Sequence, residues 1–348
     1  MSKKTNLSMC VVMLVFLLSM TCTAVGQIIY VDYNAPGPIH DGITWCSAYK
    51  YLQDALALAQ PGNEIWVAAC TYRPDEDMAH PTGTGDRNAA FVLQNNVAIY
   101  GGFPSPGCQS DPGWFDRDPD KFVTILSGDL SENDAEVTDP CGLLNDPSRA
   151  ENSFHVVVSN WNQPTALLDG FCISGGNANV EGGAGGGMYI SFSNATVANC
   201  TFCRNSAYYG GGMYNVNWNY SPTLINCTFN GNWANNSGGG MYNGESVPTL
   251  IECIFGDNSA GMQGRGMYNS GSRPTLTSCI FSGNSARDGG GIHNFTSSPV
   301  LINCEFSENR ARASGGSRPR YRPAATPRGS PVRPSAPSDR RCRARGGA

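Results

Sequence analysis

The feature that most constrains the fold is a segment that recurs about every 26 residues in the second half of the chain. Five copies align by eye, and their first residues are 27, 26, 26 and 25 positions apart. The copies are TVANCTFCRNSA from Thr196, TLINCTFNGNWA from Thr223, TLIECIFGDNSA from Thr249, TLTSCIFSGNSA from Thr275 and VLINCEFSENRA from Val300. A period of this length indicates a solenoid, in which each repeat buries its apolar face only against its neighbours.

Apolar and polar residues alternate within each copy, which is typical of a strand with one buried face. We expect Ile225, Cys227 and Phe229, with their counterparts in the other copies, to point into the core. Asn226 then points outward, and the Leu224 column is placed at a strand-entry corner. The cysteines of this column should remain free thiols, because equivalent Cβ atoms one repeat apart are about 4.8 Å from each other, too far for a disulfide.

Asparagine and glycine columns follow the apolar core positions. An asparagine lies three residues after each Phe, at Asn205, Asn232, Asn258, Asn284 and Asn309. We expect these asparagines to adopt near left-handed corners and to form a stacked hydrogen-bond ladder. A glycine cluster then supplies positive φ and close backbone approach, before an inward Met and an outward Tyr. Each repeat therefore contains at least two short strands and two corners.

The combined Phe-x-x-Asn and Gly-Gly-Gly-Met/Ile pattern resembles the FxxN and GGA-I/L repeats of chlamydial polymorphic outer-membrane proteins. More broadly, it resembles the pectin-lyase-like class of β-helices. The clear repeats cover residues 183–311, and residues 168–178 resemble a degenerate earlier copy. The resemblance implies an all-β, right-handed parallel β-helix, with regular repeats over residues 165–312. The chain differs from that family in lacking its C-terminal translocator, so we expect no outer-membrane anchor of that kind.

Residues 27–164 are predicted to form an amino-terminal cap and irregular first coils. An apolar stripe predicts an amphipathic helix over Trp45–Gln60, with Thr44 as its N-cap, placed to cover the open end of the core. Strands are predicted over residues 28–32, 64–69, 90–100, 124–127 and 154–159. The cysteines of this region, Cys46, Cys70, Cys108 and Cys141, could form two disulfides, with three connectivities open.

The two ends of the chain differ from the rest in composition. Residues 1–26 have the charged start, short apolar run and small residues of a secretory signal peptide, so we expect a secreted or cell-surface protein without a transmembrane helix. Cleavage before Cys22, as in a lipoprotein, is the less favoured alternative, because threonine is a poor residue to precede a lipoprotein cysteine. Residues 313–348 are rich in Arg and Pro and are predicted to be disordered. Their abrupt onset after Gly316 suggests a reading-frame change in the coding DNA.

The distribution of charge restricts the partners. There is no Lys after Lys121, which disfavours binding to nucleic acid or anionic membranes by the ordered region. We expect a polysaccharide or a cell-surface protein as partner, and no cofactor.

The sequence offers one weak pair of candidate catalytic residues. A polysaccharide hydrolase needs two carboxylates roughly 5 to 9.5 Å apart. Asp257 and Glu308 share one column two repeats apart, with Gly283 between them, which predicts about 9.6 Å. The same column also holds Arg204 and Gly231, so a variable corner position is the favoured interpretation. A lyase would need a cationic base, but the repeats contain no Lys and only scattered Arg.

Other polar and aromatic residues have competing interpretations. Asp116, Asp118 and Asp120 alternate as calcium ligands can, although plain polar loops contain the same pattern. His293, near Asp288, is interpreted as a stacked surface ring rather than an acid–base group. The outward tyrosines Tyr189, Tyr214, Tyr242 and Tyr268, with Trp161, Trp218 and Trp233 in adjacent loops, either contact sugars or a partner, or stack on one another.

These observations favour a non-catalytic, secreted or surface-displayed β-helix module for adhesion, glycan contact or structural display. The alternative is a polysaccharide-active lyase or hydrolase on a pectin-lyase-like fold. Interchangeable repeats favour the first, because fold alone does not establish catalysis.

Overall fold

The computed structural model describes residues 26–137, 139–216, 218 and 220–311. It shows a right-handed parallel β-helix of about six turns. Each regular turn contains four short strands, which run through four parallel sheets, where the sequence predicted at least two. We name the sheets after the residue that each regular turn contributes to the core: leucine, phenylalanine, alanine and methionine. The predicted tail, and the predicted signal peptide apart from Gly26, lie outside the described residues.

The leucine and phenylalanine sheets have nine and eight strands within the described residues. The strands of the leucine sheet are Ile28–Val31, Glu64–Ala68, Ala98–Phe103, Leu167–Asp169, Thr196–Ala198, Thr223–Ile225, Thr249–Ile251, Thr275–Thr277 and Val300–Ile302. The strands of the phenylalanine sheet are Thr71–Tyr72, Thr124–Ser127, Phe171–Ser174, Thr201–Cys203, Thr228–Asn230, Ile254–Gly256, Ile280–Ser282 and Glu305–Ser307.

The alanine and methionine sheets have six and seven strands over the same part of the chain. The strands of the alanine sheet are Asn177–Ala178, Ser206–Tyr209, Trp233–Ser237, Ser259–Ala260, Ser285–Ala286 and Arg310–Ala311. The strands of the methionine sheet are Phe91–Val92, Val157–Asn160, Met188–Ser191, Met213–Val216, Met241–Gly244, Met267–Ser270 and Ile292–Phe295. Equivalent residues of successive repeats pair directly, as Met213 does with Met241.

The core is a set of columns in which like residues stack. Leu224, Cys227 and Phe229 are all fully buried, as are their counterparts in the next two turns. The predicted inward Ile225 column is wrong, since Ile225 is 37 % exposed and Leu224 occupies the core instead. The reason is Asn226, whose φ of 50° places a left-handed corner between two strands and breaks the alternation.

The predicted asparagine ladder is confirmed. The Asn232 side-chain nitrogen donates to the Asn258 side-chain oxygen at 3.0 Å and to the Phe202 carbonyl at 2.9 Å. The left-handed residue of this corner is not the asparagine but the residue before it, such as Asp257 with φ of 50°. A second ladder links Asn243 to its equivalents in the methionine sheet. The side-chain nitrogens of these asparagines thus keep hydrogen bonds inside the core, while the oxygen of Asn215, at the start of the second ladder, has no partner among the described residues.

The predicted capping helix is present but short. It spans Leu52–Leu58 and buries Leu52, Ala55 and Leu56 against the first turns of the core. The residues before it do not continue the helix, because Tyr49 pairs with Val31 as an isolated parallel bridge. Tyr51, not Thr44, is the N-cap residue.

Three 3₁₀ helices lie in the amino-terminal loops: Trp114–Asp116, Pro140–Asn145 and Pro147–Arg149. The second of these helices buries Leu143 and Leu144 against Trp233 of the alanine sheet. This helix therefore covers the outer side of that sheet. Trp233 is therefore a packed strand residue rather than a loop residue. No helix in the described part of the chain is long and apolar enough to cross a membrane.

Candidate functional site

Asp257 and Glu308 occupy the same left-handed corner column, with φ of 50° and 55°. Gly283 holds the turn between them at φ of 67°, and Gly231 holds the turn before Asp257 at φ of 63°. Both carboxylates are exposed on the outside of the helix. Every residue of this column therefore has a positive φ, which glycine adopts freely and other residues adopt at a small cost. Asp257 and Glu308 share the column because of this corner, and no catalytic role is needed to explain their alignment.

Asp116, Asp118 and Asp120 lie in an exposed loop between two strands of the first coils. Asp116 accepts a hydrogen bond from the Gly113 amide at 2.9 Å, and Asp118 accepts from the amides of Asp120 and Lys121 at 3.0 and 3.1 Å. In the part of the chain that the structure describes, this loop is not among the clusters whose ligand atoms converge. Metal binding by these three residues stays a prediction.

The same loop lines a cavity of about 660 Å³ on the outside of the first coils. The ring of Phe115 is fully exposed, and Lys121 lies over the Phe122 ring at 4.7 Å. Arg117 fixes the loop to the leucine sheet through an ion pair with Asp169 at 2.6 Å. The cavity therefore combines exposed aromatic surface with charged groups on a positioned loop, and the sequence contained no periodic signal for it.

The tyrosine column forms a continuous stack of rings along the methionine sheet. Successive ring centroids are 4.9 to 5.6 Å apart. His155 and His293 lie at its two ends, so the order is His155, Tyr189, Tyr214, Tyr242, Tyr268 and His293. The predicted stacking of His293 is confirmed. The position of His155 at the other end of the stack was not predicted, because it lies outside the clear repeats. Because neighbouring tyrosines cover the faces of the inner rings, those faces are not available to a sugar ring.

Burial controls the protonation of groups in and around this stack. Desolvation lowers the pKa of His293, although Asp288 acts in the opposite direction. Desolvation also lowers the pKa of His155, while hydrogen bonds to the Gly185 and Ala184 backbone oppose it. Both rings are therefore favoured as neutral imidazoles in the folded protein.

Two exposed tryptophans lie at the corner after the methionine sheet. Trp161 is 62 % exposed and stacks on Phe192 with centroids 4.2 Å apart. Trp218 is 72 % exposed. Tyr220 meets the edge of the Phe192 ring, so Trp161, Phe192 and Tyr220 form an aromatic cluster separate from the residues that line the loop cavity.

The cysteines behave differently in the two halves. Cys46 and Cys108 form a disulfide, but Cys70 and Cys141 are free, so the expectation of two bridges among these four is wrong. Cys141 instead lies 3.4 Å from the Ser259 hydroxyl. The predicted free thiols of the core column, such as Cys253, are confirmed.

The stacked coils, ladders and corners define the class of protein: a right-handed parallel β-helix, for which a pectin-lyase-like fold is a suitable description. Residues 155–311 match the family model of the right-handed β-helix region. No curated protein and no solved structure matches the chain significantly.

Proposed function

We propose that this chain is a non-catalytic β-helix module that is exported and contacts a polysaccharide through the loop cavity around Phe115. The observation that carries the proposal is the fully exposed Phe115 ring beside a cavity of about 660 Å³. Ligand sites are typically concave and combine apolar surface with a few polar groups. Arg117, Asp118 and Lys121 supply such groups at the cavity wall.

The absence of catalysis is supported by the equivalence of the regular turns. The corner column that holds the two candidate carboxylates changes residue type from turn to turn, with Arg204, Gly231 and Asp257 in successive copies. A catalytic pair needs two groups whose environments differ, so that one is an acid and the other a base. Asp257 and Glu308 occupy equivalent exposed corners instead.

The test is a binding panel of neutral and acidic polysaccharides against the full exported chain, read by titration calorimetry. Phe115→Ala should weaken binding at least tenfold without changing the melting temperature, because the ring is fully exposed. Met262→Ala, at a 48 % exposed residue of a regular turn, is the matched control and should bind normally. Unchanged binding by Phe115→Ala would contradict the proposed site. If the chain binds no polysaccharide of the panel, polysaccharide is wrong as the proposed ligand.

The same panel distinguishes a polysaccharide-active enzyme from a protein that only binds polysaccharide. Release of reducing or unsaturated ends, lost in Asp257→Ala or Glu308→Ala, would establish a polysaccharide-active enzyme. Export is tested by the amino terminus of the purified protein, which we expect at Gln27.

A further inference from the structure

A cluster of three carboxylates lies where the first coils leave the phenylalanine sheet. One oxygen each from Asp129, Asp134 and Glu151 lies within 4.8 Å of the other two, and all three residues are half-buried. Asp129 comes two residues after the strand Thr124–Ser127, and the other two belong to the long loop that replaces a tight corner here. Folding therefore brings together three negative charges that are as many as 22 positions apart in the sequence.

The protein neutralises only part of this charge. Arg149, which is 2 % exposed, pairs with Asp134 at 2.6 Å. Arg87 adds a second positive charge that acts on Glu151, so the three carboxylates still exceed these two cations in partly desolvated surroundings.

A second observation points to a ligand. Asn152 is fully buried and lies against the cluster, because its side-chain nitrogen donates to both Asp134 carboxylate oxygens at 3.2 and 3.1 Å and to the Gly175 carbonyl at 2.6 Å. The side-chain oxygen of Asn152 and one carboxylate oxygen of Glu151 are buried with no hydrogen-bond partner among the described residues. Buried acceptors in proteins are rarely left without a partner.

The missing partner has the chemistry of a hard cation. Calcium binds six to eight oxygens at roughly 2.3 to 2.6 Å, so oxygens on opposite sides of one ion lie up to about 5 Å apart. The cluster oxygens all lie within 4.8 Å of one another, which is within that span. Calcium also accepts flexible, irregular coordination by carboxylates, whereas magnesium demands a near-ideal octahedron and keeps several of its waters.

We infer that Asp129, Asp134, Glu151 and the side-chain oxygen of Asn152 bind a calcium ion. The ion fastens residues 129–152 to the β-helix. This loop also carries the 3₁₀ helix Pro140–Asn145, whose Leu143 and Leu144 pack on Trp233. Calcium would thus stabilise the covering of the alanine sheet, independently of the loop cavity proposed for polysaccharide.

The experiment uses the full exported chain, freed of divalent ions with a chelator and titrated with CaCl₂ or MgCl₂ at constant ionic strength. We expect a calcium dissociation constant of about 10⁻⁴ to 10⁻³ M, as in extracellular modules. At about 10 mM calcium, the melting temperature should rise by about 4 °C or more, with a smaller rise in magnesium. Hydrogen exchange should slow in residues 129–152 and not in the regular turns.

Glu151→Gln keeps the shape of the side chain and removes its charge. It should weaken calcium binding at least tenfold, whereas the control Asp257→Asn, at an exposed lone carboxylate, should bind as the parent does. A melting temperature that rises no more in calcium than in magnesium would overturn the inference, as would equal calcium affinity in Glu151→Gln and the parent. If Glu151→Gln fails to fold, calcium-dependent slowing of exchange in residues 129–152 of the parent decides the question.

Discussion

The regular turns and the first coils use polar side chains in different ways. In the regular turns, a buried polar residue bonds to its own equivalent one turn away, as Asn232 does to Asn258. In the first coils, polar residues meet partners of a different type, as Arg117 of one loop meets Asp169 of a strand and Arg149 meets Asp134 within one long loop. The comparison teaches that repetition produces stable ladders, whereas irregularity produces single sites with chemistry of their own.

The difference has a simple physical origin. A column of identical residues satisfies each hydrogen bond with the next copy, so one turn resembles another and none is a unique binding place. A loop that leaves the β-helix has no repeated copy beside it, so its charged groups pair with groups of the same loop or of the nearest coil. The cluster around Asp134 arises in this way. We therefore expect function in the first coils and stability in the regular turns.

The largest effect is expected from Asn258→Ala. The substitution removes the acceptor of the Asn232 backbone amide and of the Asn232 side-chain nitrogen, together with a donor to the Phe229 carbonyl. At about 1 to 3 kcal/mol for each buried unpaired group, the free energy of unfolding should fall by about 4 kcal/mol. Urea unfolding measures the change. Asn230→Ala, at an exposed asparagine of the phenylalanine sheet, should cost less than about 0.5 kcal/mol, and equal losses in the two variants would refute the ladder's role.

The next effect concerns the disulfide of the first coils. Replacing Cys46 and Cys108 by Ser opens a loop whose ends are 62 residues apart in sequence, which should cost about 3 kcal/mol. Hydrogen exchange should show the loss of protection in the first coils around Trp45, while the regular turns keep theirs. Equal loss of protection in both regions would show that the first coils and the regular turns unfold as one cooperative unit.

A smaller effect is expected from the thiol column. Cys253→Ala removes a buried sulfur that fills the core and should lower the free energy of unfolding by about 1.5 kcal/mol. Cys141→Ala is the matched control, because Cys141 is an exposed free thiol. Thermal unfolding of the two variants measures the difference. A Cys253 variant as stable as the control would mean that the column packs loosely.

The smallest effect is a pH dependence at the end of the ring stack. Burial lowers the pKa of His155 in the folded protein below its ordinary value, which is near 6.5. Its stabilising contribution is therefore complete above about pH 6.5 and declines as the pH falls through the lowered folded value. Unfolding measured between pH 7.5 and 5 should show a shallower loss of stability in His155→Gln. The same slope in both proteins would assign the acid sensitivity to other groups.

Prediction from the sequence succeeded where structure repeats. The asparagine ladder and the free thiols of the core column were both predicted correctly. It failed where a contact with a distant segment overrides a local pattern. The apolar stripe around Ala48 suggested a helix, but the backbone of the neighbouring Tyr49 bonds to Tyr30 of the first strand and to Asp32 directly after it.

The candidate sites divide along the same line. Asp257 and Glu308 could be placed in one column from spacing alone, and they share it in the structure. The loop cavity around Phe115 and the cluster around Asp134 depend on where long loops return to the helix. No period in the sequence records that return.

The sequence by itself determined that the chain is a solenoid, which residues stack on which, and which turns are interchangeable, because these follow from a period that any reader can count. Only the tertiary structure decided that Leu224 rather than Ile225 enters the core, since one left-handed residue at Asn226 resets the alternation. It alone also brought Asp129, Asp134 and Glu151 together. Contacts between unlike residues depend on the path of the loops, and that path is set by packing across the whole fold.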